Sequence, residues 1–158
     1  MNAPASGFYP GDAATPAALL ALANEYRIAA ELLVQNGRRR EPRSRAPFRM
    51  VAIHAIELYL NALLLHSGLD TKAIRGLHHN LAARADLAAE AKLSLRNRTV
   101  SHLEALSTTR EFLTTRYEPG DASLSELNRL QATLSEIATK VSAMVEGPKV
   151  EAQRTMQP

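Results

Sequence analysis

The stretch MVAIHAIELYLNALLLHSG, residues 50–68, is the longest apolar run in the sequence. Its apolar residues recur at helical spacing along two stripes, which predicts a helix that other helices cover on two sides. The polar residues His54, Glu57 and Asn61 interrupt the run. They favour a buried core helix over a membrane span. The sequence therefore predicts a central helix over residues 47–67.

The other helices are predicted from cap residues and from apolar positions spaced by three and four. One is expected from Thr15 and Pro16 to Gly37, a short one over about 80–91, one from Thr99 or Ser101 to Arg116, and one from the capping box SLSE, residues 123–126, to Gly147. The segment 68–80 is expected to be irregular. Because no segment alternates with period two, the predicted fold class is all-α, an antiparallel up-and-down helical bundle of four main helices plus one short helix.

The length of 158 residues suits one domain, which we expect over residues 15–146. Residues 1–14 are expected to be a flexible lead-in and residues 147–158 a disordered tail. The chain has no cysteine, which excludes disulfides, thiol nucleophiles and zinc–thiolate sites. The N-terminus has neither the basic patch nor the apolar run of a signal peptide, so a cytoplasmic location is expected. No cofactor and no metal are predicted.

Positive charge is concentrated in the segment RRREPRSRAPFR, residues 38–49, which we call the arginine loop. It holds six of the 19 basic residues and one of the 16 acidic residues, so the rest of the chain is slightly negative. Such a cluster is a candidate patch for phosphate or an acidic partner, with Arg38, Arg39 and Arg40 as its candidate phosphate-binding residues. A solvated connector is the alternative.

Several motifs, taken in order, resemble those of HEPN domains (higher eukaryotes and prokaryotes nucleotide-binding). AIELYLNALLLHSG is similar to the second helix of that family, although Asn61 stands where the family often has lysine. GLHHNLAARADLA is similar to its Gly-His-Asp-Leu element, with His79, Asn80 and Leu81 in those places. RYEP, at Arg116 and Tyr117, resembles an Arg-Tyr-Pro element whose proline is displaced. The resemblance spans roughly residues 15–145.

The family's functional motif is an arginine, usually a polar residue, and then a histidine four to six positions after the arginine. Arg96, Asn97 and His102 are similar to it in type, spacing and place. In catalytic members this motif is associated with metal-independent RNA cleavage, usually at a two-fold dimer interface, whereas other members bind nucleotides or hold partners. The resemblance therefore implies a homodimer and, as alternatives, a toxin or defence ribonuclease or a non-catalytic module working with a nucleotidyltransferase-type partner.

The chemistry of such a site requires a base, an acid and a cation. His102 suits proton transfer near neutrality, and an arginine suits a phosphorane. On one continuous helix, however, residues 96 and 102 lie about 120° apart around the axis. Arg98 does share the face of His102 and is a second candidate for the phosphate. The alternative is that these arginines are solvated and that His102 is an ordinary polar helix residue.

The remaining polar and aromatic candidates are interpreted more plainly. His54 is expected to be buried and hydrogen-bonded, because no further ligands for a metal accompany His54 and Glu57. His79 and Arg116 are candidate nucleotide or phosphate contacts. Tyr59 and Tyr117 are expected to pack rather than to stack on bases. The expected ligand is RNA or a nucleotide.

Overall fold

The structure is a computed structural model that describes residues 7, 9–120 and 124–147. Over those residues it contains α-helices, one 3₁₀ turn and no strand, so the predicted all-α class is confirmed. The helices are α1 (Pro16–Val34), α2 (Ala46–His66), α3 (Thr71–Gly76), α4 (Leu81–Glu90), α5 (Asn97–Thr108), α6 (Glu111–Tyr117) and α7 (Leu127–Glu146), and the 3₁₀ turn is Pro42–Arg45.

Helix α2 is central, as predicted. Twelve of its 21 residues are buried, and α1, α4, α6 and α7 all pack against it. The stretch Pro42–His66 is apolar enough to cross a membrane, but 67% of its most apolar window is buried inside the protein. Burial of this kind is what a core helix requires.

Two segments differ from the sequence-based prediction. The segment expected to be irregular contains α3, whose N-cap Asp70 accepts a hydrogen bond from the backbone N of Ala73 at 2.7 Å. The predicted fourth helix is two helices, because Arg110 takes a left-handed conformation with φ of 51° and the chain changes direction there. The predicted number of helices is therefore wrong, and the antiparallel up-and-down arrangement stays a prediction.

Of the helix ends predicted from cap residues, the start of α1 is confirmed, whereas the end of α1 and the start of α7 differ from the prediction. The Thr15 cap is confirmed, since its hydroxyl accepts from the backbone N of Ala18 at 3.1 Å. Gly37 is not the cap of α1, which ends at Val34 with Gln35 as its C-cap. The helix predicted from the capping box begins later than expected, at Leu127, with Glu126 as its N-cap rather than as the glutamate three positions after the cap. Its proposed partner Ser123 lies outside the described residues, as do 1–6 and 8 of the lead-in and 148–158 of the tail.

Candidate functional site

The start of α5 carries the residues that were predicted to be catalytic. Arg96 is the N-cap and Asn97 the first helical residue, and the side chains of Arg96, Asn97 and Arg98 are exposed. The backbone N of Arg96 donates to Glu136 Oε1 at 2.9 Å. Burial alone would raise the pKa of Glu136, but hydrogen bonds from Lys140, Thr99 and the Arg96 backbone outweigh it and hold that pKa at about 2. This helix start is therefore anchored to α7.

His102 lies inside the protein rather than at its surface. It is 6% exposed, and its Nδ1 is 2.7 Å from Thr133 Oγ1 on α7. Burial, helped by Arg129 and Arg49, lowers the pKa of His102 to about 4 against the opposing effect of Glu111. At neutral pH the ring is neutral and shielded from solvent.

Arg96, Asn97 and His102 thus do not share a solvent-accessible cleft in one chain. The two arginines of this segment face solvent, whereas the histidine faces the core. A residue that transfers protons to a substrate must reach it directly or through one water. The geometry of the single chain gives catalysis at these residues no support.

A different set of side chains surrounds a cavity of about 250 Å³, which we call the histidine cleft. It is lined by residues of α1, α2 and α6 and of the loop before α4, among them Tyr26, His54, Glu57, His79, Phe112 and Arg116. Two residues predicted to contact phosphate, His79 and Arg116, therefore come together here. Arg98 and the arginine loop do not line this cleft.

His54 is exposed in the cleft, so the prediction that it would be buried is wrong. Its ring meets Tyr26 edge-on, with ring centroids 4.6 Å apart and planes at 86°. Partial burial lowers the pKa of His54, and the neighbouring His79 and Arg116 lower it further, while Glu57 opposes them. His54 is therefore neutral at physiological pH, when one ring nitrogen donates and the other accepts.

His79 is held in place by two contacts. Its Nδ1 is 3.0 Å from Glu57 Oε2, and its ring centroid is 4.7 Å from that of Phe112. Because a carboxylate only accepts hydrogen bonds, the pairing places a hydrogen on Nδ1 and leaves Nε2 for another partner. The loop that carries His79 ends at Asn80, whose side chain caps α4 by accepting from Ala83 N at 3.0 Å.

Glu57 is held from its other side by Arg84, which is only 2% exposed. The Arg84 Nε donates to Asn61 Oδ1 at 2.7 Å, and its Nη2 lies 3.7 Å from Glu57 Oε1. Burial lowers the pKa of Arg84, against the opposing effect of Glu57. Asn61 therefore orients this arginine.

A second cavity of about 320 Å³ lies on the far side of the Glu57–His79 pair, since both residues line both cavities. Tyr9, Gly11 and Ala14 of the lead-in line part of it. Asp12 pairs with Arg75 at 3.3 Å, and the Arg75 guanidinium lies 4.3 Å from the ring centroid of Tyr9.

Sequence reasoning missed the histidine cleft because its members come from separated segments. The signal available was the spacing of His54 and Glu57, which places both on one face of α2. Their partners lie in the loop before α4 and on α6, and no residue near His54 or Glu57 in the sequence indicates that these segments come close. Among the described residues, no three His, Asp or Glu side chains group as a metal ion would require.

No protein-family model, no curated protein and no solved structure matches this chain.

Proposed function

We propose that this chain is a HEPN-like nucleotide-binding module that holds a phosphate group in the histidine cleft. The observation that carries the proposal is the convergence of His54, His79 and Arg116 on one cavity of about 250 Å³. Arginine presents a rigid fork of donors that matches phosphate oxygens, and imidazoles add donors beside it. A binding module is favoured over catalysis at α5 because His102 is buried.

The charges in the cleft suit an anion despite the presence of Glu57. That carboxylate is already engaged by His79 at 3.0 Å and lies near the buried Arg84. Arg116 is exposed and has no acidic partner among the described residues. Its charge is therefore available to a ligand, while Glu57 serves to orient His79.

The walls of the cleft suit the rest of a nucleotide. Tyr26 and Phe112 place aromatic rings beside the two histidines. Pockets for small ligands combine apolar walls with a few polar groups that set orientation. A base or ribose against these rings and a phosphate at Arg116 would satisfy both requirements.

Isothermal titration calorimetry with AMP, GMP, CMP, UMP and their dinucleotides tests the proposal. Arg116→Ala should weaken binding roughly ten- to a hundredfold, because a hydrogen bond to a charged group contributes about 1.5–3 kcal/mol. Arg98→Ala removes an exposed arginine outside the cleft and should leave the affinity unchanged. Equal losses in the two variants, or no binding to any of these ligands, would refute the proposal.

RNA cleavage is a second candidate function, since the histidine cleft contains the groups that such chemistry needs. Two imidazoles and one arginine line it, which can supply a base, an acid and a cation for the phosphorane. In EDTA, His54→Ala and His79→Ala should each lose a hundredfold or more of the cleavage rate. Cleavage that survives in both variants, or an inactive wild-type protein, would leave the binding module alone.

The homodimer, the nucleotidyltransferase-type partner and the cytoplasmic location stay predictions. A dimer could bring the exposed Arg96 and Arg98 of two chains together. It would not by itself expose His102, whose Nδ1 is bonded within the same chain.

A further inference from the structure

The arginine loop forms one wall of a groove that is separate from the histidine cleft. Its first part, a cavity of about 320 Å³, is lined by Arg38, Arg40, Arg45 and Arg49. Its second part, a cavity of about 560 Å³, is lined by Arg43 and Tyr117. Both parts share Glu41, Pro42, Pro119 and Gly120, so they are continuous, and we call them together the arginine groove.

The arginine loop is ordered rather than a loose connector. The Ser44 hydroxyl accepts from the backbone N of Arg38 at 2.7 Å and donates to the carbonyl of Glu41 at 2.7 Å. Arg40 takes a left-handed conformation with φ of 62° at the tip. These bonds fix the backbone of the loop, from which the arginine side chains project.

Gly37 and Arg45 also depend on each other. A Cβ atom at position 37 would lie 2.7 Å from Nη1 and 2.9 Å from Cγ of Arg45. The absence of a side chain at Gly37 therefore lets Arg45 lie across the backbone at the base of the groove. This close approach is the structural role of the glycine that does not cap α1.

Several charges of the groove are available to a ligand. Arg38 pairs with Glu41 at 2.8 Å, and Arg49 pairs with the buried Glu111 at 2.9 Å. Arg40, Arg43 and Arg45 have no acidic partner within ion-pair distance among the described residues. The acidic Glu118 lines only the second part.

Tyr117 adds an aromatic surface to these charges, and the prediction that its ring packs against the protein is wrong. Its side chain is 75% exposed, the largest value among the exposed large apolar and aromatic residues described. Consecutive helix residues point about 100° apart, so Arg116 reaches the histidine cleft while Tyr117 reaches the groove. Burial supplies no reason for an aromatic ring in this position.

We propose that the arginine groove binds single-stranded nucleic acid, with phosphates at Arg40, Arg43 and Arg45 and an unpaired base stacked on Tyr117. Basic grooves with exposed aromatic rings hold single strands because the backbone meets the cations and each base has a face to stack. An acidic protein partner would use the arginines but would leave the ring without a role. The proposal does not depend on nucleotide binding in the histidine cleft.

The test measures fluorescence anisotropy of labelled ten-nucleotide strands of RNA and of DNA, and of a duplex of equal length, over a range of salt concentrations. Arg40→Ala/Arg43→Ala should reduce the slope of log affinity against log salt by about 1.4, because each single-strand phosphate contact contributes about 0.7. Lys72→Ala/Arg98→Ala removes the same charge from exposed positions elsewhere and should keep the wild-type slope.

Tyr117 supplies an independent readout. Tyr117→Ala should weaken single-strand binding about tenfold with an unchanged salt slope, and Tyr117→Phe should restore it. The relative affinities for RNA and DNA show whether the ribose hydroxyl contributes. Thermal melting verifies that each variant is folded. Because all these side chains are exposed or line the groove, the melting temperatures should stay close to that of the wild type.

Four results would overturn the proposal. The first is an equal change of the salt slope in the two double variants, and the second is duplex binding as tight as single-strand binding. The third is that poly-glutamate competes as well as RNA while Tyr117→Ala has no effect. The fourth is loss of strand binding in Arg116→Ala. The last would assign the strand to the histidine cleft. If the wild-type protein binds single strands but no mononucleotide, the cleft proposal is refuted and the groove proposal stands.

Discussion

Glu57 and His79 are 22 positions apart in the sequence, yet Glu57 Oε2 lies 3.0 Å from His79 Nδ1. The pair stands between two cavities and lines both. On its other side Glu57 faces Arg84, so one carboxylate joins a surface histidine to a buried arginine. The orientation of His79 in the cleft therefore depends on a group whose second partner is in the core.

Glu57→Gln should lower the free energy of unfolding by about 2 kcal/mol, because it removes the negative charge beside Arg84 and weakens hydrogen bonds to charged groups. Urea denaturation measures this. The control Glu31→Gln breaks an exposed pair with Arg27, where the carboxylate is 62% exposed, and should cost about 0–1 kcal/mol. Equal losses of unfolding free energy in the two variants would mean that the charge of Glu57 does not stabilise the buried Arg84.

Removing one partner of the buried ion pair between Arg49 and Glu111 should lower the free energy of unfolding more than breaking an exposed pair does. Glu111 is 1% exposed and also accepts from Ser125 Oγ at 2.8 Å. Arg49→Met leaves a buried carboxylate without its cation and should destabilise the protein by about 3–5 kcal/mol. Arg38→Met, at a pair whose side chains are 65% and 56% exposed, should cost about 1 kcal/mol or less. A small loss at Arg49 would contradict this assignment.

The free energy of unfolding should decrease as the pH falls below about 6.5, because His102 is buried in its neutral form. Its pKa is about 4 in the folded protein against 6.5 in the reference state, so the unfolded chain takes up the proton first as pH falls. The contribution is complete above about pH 6.5 and is lost as pH falls toward 4, at most roughly 3 kcal/mol. Glu136, whose pKa falls from 4.5 to about 2, adds its own loss only below pH 4.5.

His102→Gln should flatten the dependence of unfolding free energy on pH between 6.5 and 4, whatever its effect on absolute stability. Urea titrations at several pH values measure that slope. His66→Gln, at an exposed histidine near the end of α2, should keep the wild-type slope. A wild-type slope in His102→Gln would show that another group carries the pH dependence.

The break between α5 and α6 should be stabilised by glycine at position 110. Arg110 has φ of 51°, a conformation that costs a residue with a side chain roughly 1 kcal/mol and glycine little. Arg110→Gly should therefore raise the melting temperature or leave it unchanged. Glu104→Gly, at an exposed position in the interior of α5, should lower stability by about 1 kcal/mol. Destabilisation by both variants would mean that the Arg110 side chain contributes more than its backbone costs.

The local features were predictable because the residues that cause them are neighbours in the sequence. Thr15 and Pro16 mark the start of α1, and the two apolar stripes identify α2 as the central helix. The break at Arg110 was not predictable, since nothing in the local pattern marks a left-handed arginine. The hydrogen bond from the Ser125 hydroxyl to Glu111, 14 positions away on α6, was not predictable either.

By itself the sequence determined the all-α class, the central helix and the residue types that can meet a phosphate, because helix periodicity and caps act over a few residues. Only the tertiary structure decided which of those residues work together. Thr133, 31 positions from His102, holds that histidine inside the protein. Helix α6 carries Arg116 to the cleft that contains His54 and His79. Packing brings distant segments into contact, and that contact determines whether a polar side chain faces the core or a ligand.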